Sequence, residues 1–172
     1  MSYQLTTMVV LFLLPGVQCW RNTLDDPLHV DCYTYSFVNY VGSIFNRQTR
    51  DRYFGITCQG TPIAGRPNCY WTGYQNNFRQ KFMYRCPNNH YFGGIYSYHL
   101  DAQEDRRWKY KCCHNPGVKL VRCYETLYLN NFQQEMKYMV PTGKVMTGWG
   151  GVYSVPYCDR RFKVEVCVMV LA

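Results

Sequence analysis

Glu104-Asp105-Arg106-Arg107-Trp108-Lys109-Tyr110-Lys111-Cys112-Cys113 is one of three variant copies of a single stretch in this chain. The earlier copy is Arg50-Asp51-Arg52-Tyr53-Phe54-Gly55-Ile56-Thr57-Cys58, and the later copy is Cys158-Asp159-Arg160-Arg161-Phe162-Lys163-Val164-Glu165-Val166-Cys167. The three Asp-Arg pairs begin at positions 51, 105 and 159, so the step is 54 both times (105 − 51 and 159 − 105). A fixed step of this length predicts repeated supersecondary units in an array or in one closed, pseudo-symmetric domain.

A second segment repeats with the same step. Residues 74–87 align with residues 128–141, and the alignment needs no gap. The two anchors together predict three units, at residues 20–73, 74–127 and 128–172, of which the last is shortened.

Residues 1–19 precede the first unit and contain no charged residue. The apolar run from residue 8 to residue 14 is too short to span a bilayer, which needs about 20 apolar residues. It is typical of a secretory signal, with a cut before Trp20, although the usual positive charge is missing. A buried N-terminal strand is the alternative. The remaining 153 residues (172 − 19) are enough for one domain with a real core.

Apolar and polar residues alternate at equivalent places in the three units. Leu28, Val30 and Cys32 show this pattern first, and residues 82–86 and 136–140 repeat it. Period-2 alternation predicts half-buried strands. Because no sustained helical periodicity appears, we expect one all-β, disulfide-stapled domain with pseudo-threefold symmetry, in a trefoil- or prism-like arrangement without exposed sheet edges.

Ten cysteines and a leader predict a disulfide framework in an oxidising compartment. Two units carry a cysteine at both of two equivalent places, whereas the third unit has Val140 and Val166 there. This pattern favours Cys32–Cys58 and Cys86–Cys112. By the same logic, Cys69–Cys113 and Cys123–Cys167 would link successive units. The alternative exchanges the vicinal pair, giving Cys69–Cys112 and Cys86–Cys113.

Cys158 has no equivalent cysteine in the other units, so it is the candidate for a free thiol or an intermolecular bond. If Cys19 were retained, a Cys19–Cys158 bond would be the alternative. A zinc site at Cys112-Cys113-His114 is disfavoured, because vicinal cysteines lack the usual ligand spacing.

The Asp-Arg pairs are the candidate ligand-binding residues. A carboxylate accepts hydrogen bonds from sugar hydroxyls, an arginine fork pairs with a sulfate or carboxylate, and an adjacent aromatic ring can pack on a sugar. The candidate set is Asp51, Arg52, Asp105, Arg106, Trp108, Asp159 and Arg160. Internal salt bridges that recur because the fold recurs are the alternative interpretation, with the aromatic rings in the core.

An enzyme is not expected, because no nucleophile–base set and no catalytic signature is found. The histidines at 29, 90, 99 and 114 occupy no equivalent places and have no ligand-spaced partner. We therefore expect neither a catalytic residue, nor a metal, nor another cofactor.

The chain resembles the dermatopontin family over residues 20–172. The resemblance rests on the Asp-Arg-x-aromatic blocks that end in cysteine, on Cys69-Tyr70-Trp71, on Gly94-Ile95-Tyr96-Ser97, and on the vicinal Cys112-Cys113. It implies a secreted, non-enzymatic matrix or adhesion protein, whose relatives bind proteoglycan and collagen. The short leader is closer to the hemagglutinin/amebocyte aggregation factor type. The chain lacks the Tyr-rich acidic N-terminus and one C-terminal cysteine pair of vertebrate members, and Cys158 is an addition.

The net charge of +8 attracts polyanions, and a secreted location favours acidic glycans over nucleic acid. We therefore expect an extracellular protein that aggregates cells by multivalent binding to surface glycans, glycosaminoglycan or proteoglycan. Collagen and other matrix proteins are further candidate partners, and a homo-oligomer is one route to multivalency. We expect no membrane insertion. The alternative function is a structural matrix component that binds acidic polymer.

Overall fold

The computed structural model describes residue 22 and residues 25–61 and 65–172. Within these ranges the fold is all-β, as predicted, with eleven strands and one short 3-10 turn. The strands are β1 Leu28–Asp31, β2 Ser36–Asn46, β3 Asp51–Gly60, β4 Asn68–Trp71, β5 Phe82–Arg85, β6 His90–Leu100, β7 Asp105–His114, β8 Val118–Glu125, β9 Met136–Met139, β10 Lys144–Ser154 and β11 Asp159–Leu171. No helix in the described ranges is long and apolar enough to cross a membrane.

The predicted leader, residues 1–19, lies outside the described residues, and so does Cys19. The cleavage before Trp20 therefore stays a prediction.

The three segments with period-2 alternation form β1, β5 and β9, as predicted. In β1, Leu28 and Val30 are buried while His29 and Asp31 face solvent. Each segment therefore contributes one apolar face to the interior, which is the physical origin of the alternation.

Three long antiparallel hairpins dominate the fold: β2–β3, β6–β7 and β10–β11. Each hairpin shifts register once on its first strand, between Val38 and Tyr40, between Phe92 and Gly94, and between Met146 and Gly148. The three irregularities recur with the step of the Asp-Arg pairs, so the sequence repeat extends to a local backbone feature. Such bulges bend a strand and increase its twist.

Each hairpin is extended by a short strand from another unit. The sheet orders are β1-β6-β7-β4, β5-β10-β11-β8 and β3-β2-β9. Thus β1 of the first unit joins the second unit, β5 joins the third, and β9 of the third joins the first. Every sheet therefore needs residues from two units.

The structure contains four disulfides, Cys32–Cys58, Cys86–Cys112, Cys69–Cys113 and Cys123–Cys167. In the vicinal pair, Cys112 bonds to Cys86 of its own unit, and Cys113 bonds to Cys69 and so ties β7 to β4 of the preceding unit, which differs from the exchanged alternative. Cys158 is half-buried and is the free cysteine among the described residues.

Three aromatic side chains meet where the hairpins converge. Phe54, Trp108 and Phe162 lie at equivalent places, with ring centroids 5.2, 6.0 and 5.8 Å apart. All three are at most 2 % exposed, and Trp149 packs against Trp108 and Phe162. The aromatic residue after each Asp-Arg pair thus belongs to the core.

Candidate functional site

The Asp-Arg pairs bind each other across units. Arg52 donates from Nε and Nη2 to Asp159 at 2.7 Å each. Arg160 donates in the same way to Asp105 at 2.6 and 2.7 Å. Arg106 completes the series, with its Nε 2.6 Å from Asp51 Oδ1 and its Nη2 bonded to Oδ2. The result is a closed ring of three bidentate ion pairs, which we call the ion-pair ring.

Further hydrogen bonds occupy the groups of the ring. Each carboxylate accepts one backbone N–H, from Asp25, Arg79 or Gln133. Each guanidinium also donates to a backbone carbonyl, of Asp26, Gln80 or Gln134. Burying a charged group costs free energy unless the group is paired and hydrogen-bonded, as all six members of the ring are.

The ring lies inside the protein. The side chains of its six members are 2–4 % exposed, and Trp108 is 0 % exposed. The space above the ring is about 20 Å³, which holds about one water molecule and no sugar. This geometry favours the internal salt bridges that the sequence left open, and it does not present Asp51, Arg52, Asp105, Arg106, Trp108, Asp159 or Arg160 to a ligand.

The outer face of the β1-β6-β7-β4 sheet carries a different set of side chains. Alternation along the strands directs Tyr96 and Tyr98 of β6, and Arg107 and Lys109 of β7, away from the buried side. The segment that follows β4 adds Tyr74 and Phe78, which lie against them. Trp71 and His29 extend the set along the sheet. We call these eight residues the aromatic–cationic face.

Cations and rings are in direct contact on this face. Lys109 Nζ lies 4.3 Å from the centroid of the Tyr74 ring, and Arg107 Cζ lies 4.7 Å from the same centroid. Tyr74 also contacts Tyr98, with centroids 5.2 Å apart. Each cation–π contact contributes about 0.5–1 kcal/mol at an exposed site, so the rings hold both cations in place.

The face continues towards β1 and β4. His29 lies 5.7 Å from Trp71 and 5.8 Å from Tyr96, measured between ring centroids. Gly94 makes room for Trp71, because a Cβ atom there would lie 3.0 Å from Trp71 Cη2. The rings thus form a nearly continuous row along the sheet.

The charges of Arg107 and Lys109 are not neutralised by the protein. In the part of the chain that the structure describes, neither side chain has a carboxylate within 4.0 Å, whereas the neighbouring Lys111 pairs with Asp31 at 2.6 Å. Burial, with a smaller contribution from Tyr74, raises the pKa of Tyr96. Aromatic rings can pack on the C–H groups of a sugar, and cations without a carboxylate partner can bind its acidic group. This combination of side chains is therefore suited to an acidic sugar.

The equivalent surfaces of the other units carry fewer aromatic side chains. The places of Tyr96 and Tyr98 hold Gly42 and Ile44 in the first unit, and Gly150 and Val152 in the third. One part recurs: Arg161 lies 4.3 Å above the Tyr128 ring and 5.0 Å from the Phe132 ring. This smaller group, which we call the second cation–aromatic group, is the repeat-related copy of Arg107 with Tyr74 and Phe78.

The sequence analysis did not identify the aromatic–cationic face. Its members come from four separate segments, so no single stretch carries the signal. The available clue was a comparison of equivalent outward-facing positions between units, because the second unit has a tyrosine where the other two units have glycine.

Comparison with known proteins gives a consistent result. The family model described as Dermatopontin matches residues 22–171. The hemagglutinin/amebocyte aggregation factor of Limulus polyphemus is 29 % identical over 162 residues, which is 93 % of each chain. The dermatopontin of Biomphalaria glabrata is 27 % identical over 146 residues, covering 85 % of this chain and 97 % of that protein. Millepora cytotoxin-1 of Millepora dichotoma is 26 % identical over 154 residues, covering 90 % and 68 %. No solved structure matches.

Proposed function

Because the chain belongs to the dermatopontin family, we propose that it is a secreted, non-enzymatic adhesion protein that aggregates cells by binding acidic surface glycans. The single observation that carries this proposal is the aromatic–cationic face, where Arg107 and Lys109 are held on aromatic rings and have no carboxylate partner among the described residues. The relative from Limulus polyphemus is named a hemagglutinin and aggregation factor, which supports an adhesive role. Four disulfides are typical of an extracellular location.

Aggregation needs at least two binding sites on one particle. The second cation–aromatic group around Arg161 supplies a second site on another sheet of the same chain. Two weak sites on one rigid body give strong cross-linking through effective concentration. A disulfide dimer through Cys158 would double the number of sites, and a non-reducing gel that shows only monomer would rule that dimer out.

The test is agglutination of blood cells by the purified protein, with heparin and sialylated glycans as competitors. We expect clumping that an acidic glycan blocks. Lys109→Ala should reduce the titre by about 10-fold or more, because hydrogen bonds to charged groups are worth about 1.5–3 kcal/mol. Lys137→Ala is the control, since Lys137 is an exposed lysine that is paired with Glu135 at 2.8 Å.

A second pair of variants separates binding from bridging. Arg161→Ala alone should abolish clumping while leaving cell binding through the aromatic–cationic face. The triple change Arg107→Ala, Lys109→Ala and Arg161→Ala should remove both. If the triple variant still agglutinates cells, the proposed sites are wrong.

A structural matrix component is the second candidate function, and the net charge of +8 favours it. Such a protein would bind immobilised acidic polymer, or collagen, with strong salt dependence and without clumping cells. Measuring both cell agglutination and binding to immobilised polymer or collagen with the same protein preparation therefore distinguishes the two functions.

The finer architecture is also a proposal. We infer that the three units are arranged about an approximate threefold axis that passes through the ion-pair ring. The ring and the three register shifts support it, since each recurs with the step of the sequence repeat. The Asp-Arg pairs would then be structural, and ligand binding would lie on the outer faces.

We also infer that the mature chain begins at Trp20 and forms one domain. N-terminal sequencing of the secreted protein tests this cut, and a chain that starts at Met1 would contradict it.

A further inference from the structure

The turn between β1 and β2, residues 33–36, forms one wall of a polar cavity with a volume of about 510 Å³. Residues 66–69, which lead into β4, form another wall, and Lys111 of β7 completes the lining. The disulfides Cys32–Cys58 and Cys69–Cys113 hold these walls in place. A site with fixed walls loses little conformational freedom when a ligand binds. We call this space the turn cavity.

The turn cavity departs from the repeat in size and in charge. The cavities at the equivalent places of the other units have volumes of about 280 and 290 Å³. In the first of these, Leu120 and Glu165 occupy the places of Arg66 and Lys111. The turn cavity is therefore the largest of the three repeat-related cavities, and it has two cations where the next one has a leucine and a glutamate.

Arg66 supplies the unpaired charge of the turn cavity. Lys111 is paired with Asp31 at 2.6 Å, so its charge is neutralised within the protein. Arg66 is exposed, and in the described ranges it has no carboxylate within 4.0 Å. A guanidinium can bind a carboxylate or a sulfate through two parallel hydrogen bonds. The cavity is therefore suited to a ligand that carries one of these groups.

Tyr35 holds a strained backbone conformation in the wall of the turn cavity. Its φ is 68°, and the equivalent residues are Asn89, with a φ of 61°, and Gly143, with a φ of 76°. Asparagine and glycine adopt this left-handed region readily, whereas a bulky aromatic residue does so only at a cost in free energy. Residues that persist in such conformations cluster at ligand-binding sites. The first unit thus bears this strain where a tyrosine side chain lines the cavity.

The turn cavity adjoins the aromatic–cationic face. Lys111 follows Arg107 and Lys109 at alternate positions of β7, so the three side chains leave the same side of the strand. Trp71, which belongs to the face, is the direct partner of Lys111 in the pairing of β4 with β7. From Arg107 to Lys111 the strand rises about 13 Å. An extended ligand that lies on the face and passes Trp71 therefore meets the cavity next.

We propose that the turn cavity is a second subsite for the same acidic glycan, in which Arg66 binds the carboxylate or sulfate of one sugar unit while the neighbouring units lie on the aromatic–cationic face. This assignment rests on the proposed function and adds the length of the ligand to it. The ligand is a linear acidic oligosaccharide of several units, and not a single acidic sugar. Tyr33 and Tyr35 supply aromatic rings for the bound unit, and Asn68 supplies an amide for its hydroxyl groups.

The repeat supplies variants that the scaffold already carries at equivalent places. Arg66→Leu copies Leu120 and removes the unpaired cation of the cavity. Tyr35→Asn copies Asn89, so it removes one ring and relieves the backbone strain. Tyr35→Asn should therefore raise Tm and at the same time weaken ligand binding. A tyrosine with a purely structural role would not show this combination.

The experiment is calorimetric titration of the purified full chain with heparin disaccharide and with heparin octasaccharide. We expect the octasaccharide to bind more tightly, because it reaches the cavity. Arg66→Leu should weaken octasaccharide binding at least about 10-fold, since it removes a charge-assisted hydrogen bond. Binding of the disaccharide, which we place on the face, should be unchanged.

A further titration identifies the acidic group that Arg66 binds. An oligosialic acid of the same length as the heparin octasaccharide carries carboxylates and no sulfate. A loss of affinity in Arg66→Leu with the sulfated chain alone assigns a sulfate to Arg66, and a loss with both chains assigns a carboxylate.

The matched control is Arg47→Leu. Arg47 is exposed and lies in the turn at the opposite end of the β2–β3 hairpin, so this variant has the same change in net charge away from the cavity. Wild-type octasaccharide affinity in both Arg66→Leu and Tyr35→Asn, or an equal loss in Arg47→Leu and Arg66→Leu, would overturn the proposal. If Lys109→Ala weakens binding in that case, the face is retained and only the cavity is wrong. If neither oligosaccharide binds the wild type, the proposed function fails as well.

Discussion

Adjacent residues of the Asp-Arg stretch differ in burial, because some lie in the core and others lie at the surface. In Asp105-Arg106-Arg107-Trp108, the first arginine and the tryptophan are buried, and the second arginine lies at the surface over Tyr74. Arg106 forms a buried ion pair with Asp51, so its charge is neutralised within the protein and the pair connects two units. Arg107 has no carboxylate partner among the described residues, and it is the arginine that we propose for ligand binding. Residue type alone therefore does not separate a structural arginine from a binding one.

The ion-pair ring gives the first prediction at this scale. Asp105→Asn keeps the side-chain volume but leaves Arg160 buried without its counter-charge. Removing one member of a buried pair costs about 3–5 kcal/mol, so we expect a loss of that size in urea unfolding. Glu104→Gln, which breaks the exposed pair with Arg50, should cost less than about 1 kcal/mol. Equal losses for both variants would contradict a buried ring.

Two half-buried tyrosines give a pH dependence. Burial raises the pKa of Tyr84 and of Tyr138 to about 12 in each case, from an ordinary value of 10.0. The unfolded chain therefore releases these protons first, and the stability present below pH 10 is lost as the pH rises towards 12. Urea unfolding between pH 8 and 11, in Cys158→Ser to prevent disulfide exchange, should show this decline. In Tyr84→Phe the decline should be shallower.

At the scale of the element, a short strand is held by a disulfide. β4 has only four residues, and Cys113 of β7 bonds to Cys69 at its second position. β4 also carries Trp71, which is part of the aromatic–cationic face. If this face binds the ligand as proposed, the attachment of β4 and ligand binding are coupled on this sheet.

Removing the Cys69–Cys113 disulfide tests how far the attachment of β4 and the proposed ligand binding depend on it. The double change Cys69→Ala and Cys113→Ala is expected to cost about 2–4 kcal/mol and to increase hydrogen exchange at residues 68–71. It should also lower the agglutination titre, because Trp71 loses its support. The matched control is Cys123→Ala with Cys167→Ala, which opens a bond of the same sequence separation, 44 residues, on another sheet. This control should leave hydrogen exchange at residues 68–71 unchanged, and an increase there would contradict the attachment of β4 by its own disulfide.

The local structure could be predicted well from the sequence, and the proposed binding surface could not. Strands β1, β5 and β9 follow from alternation, and the repeat favoured the cysteine pairings that the structure contains while leaving the exchanged vicinal pair open. The Asp-Arg pairs left two interpretations open, because the sequence does not report that Arg106 reaches Asp51 in another unit. The aromatic–cationic face is built from distant segments, and it arises where one unit departs from the repeat.

For the whole molecule, no unit is self-sufficient. Each sheet combines strands of two units, and the ion-pair ring connects all three. We expect a single cooperative unfolding transition, with coincident midpoints by tryptophan fluorescence and far-UV circular dichroism. Asp51→Asn and Asp159→Asn should shift this midpoint by similar amounts, because they occupy equivalent places. Two separate transitions would show that the units unfold independently.

The exchange of short strands between units also affects how the protein is made. The hairpin β2–β3 is complete once Gly60 has been synthesised, but its third strand, β9, ends only at Met139. At about 5–20 residues per second the first sheet waits on the order of 4–16 s for its last strand. During that interval the nascent chain exposes an unpaired strand edge of β2. Correct folding of the amino-terminal third therefore depends on translation reaching the carboxyl-terminal third.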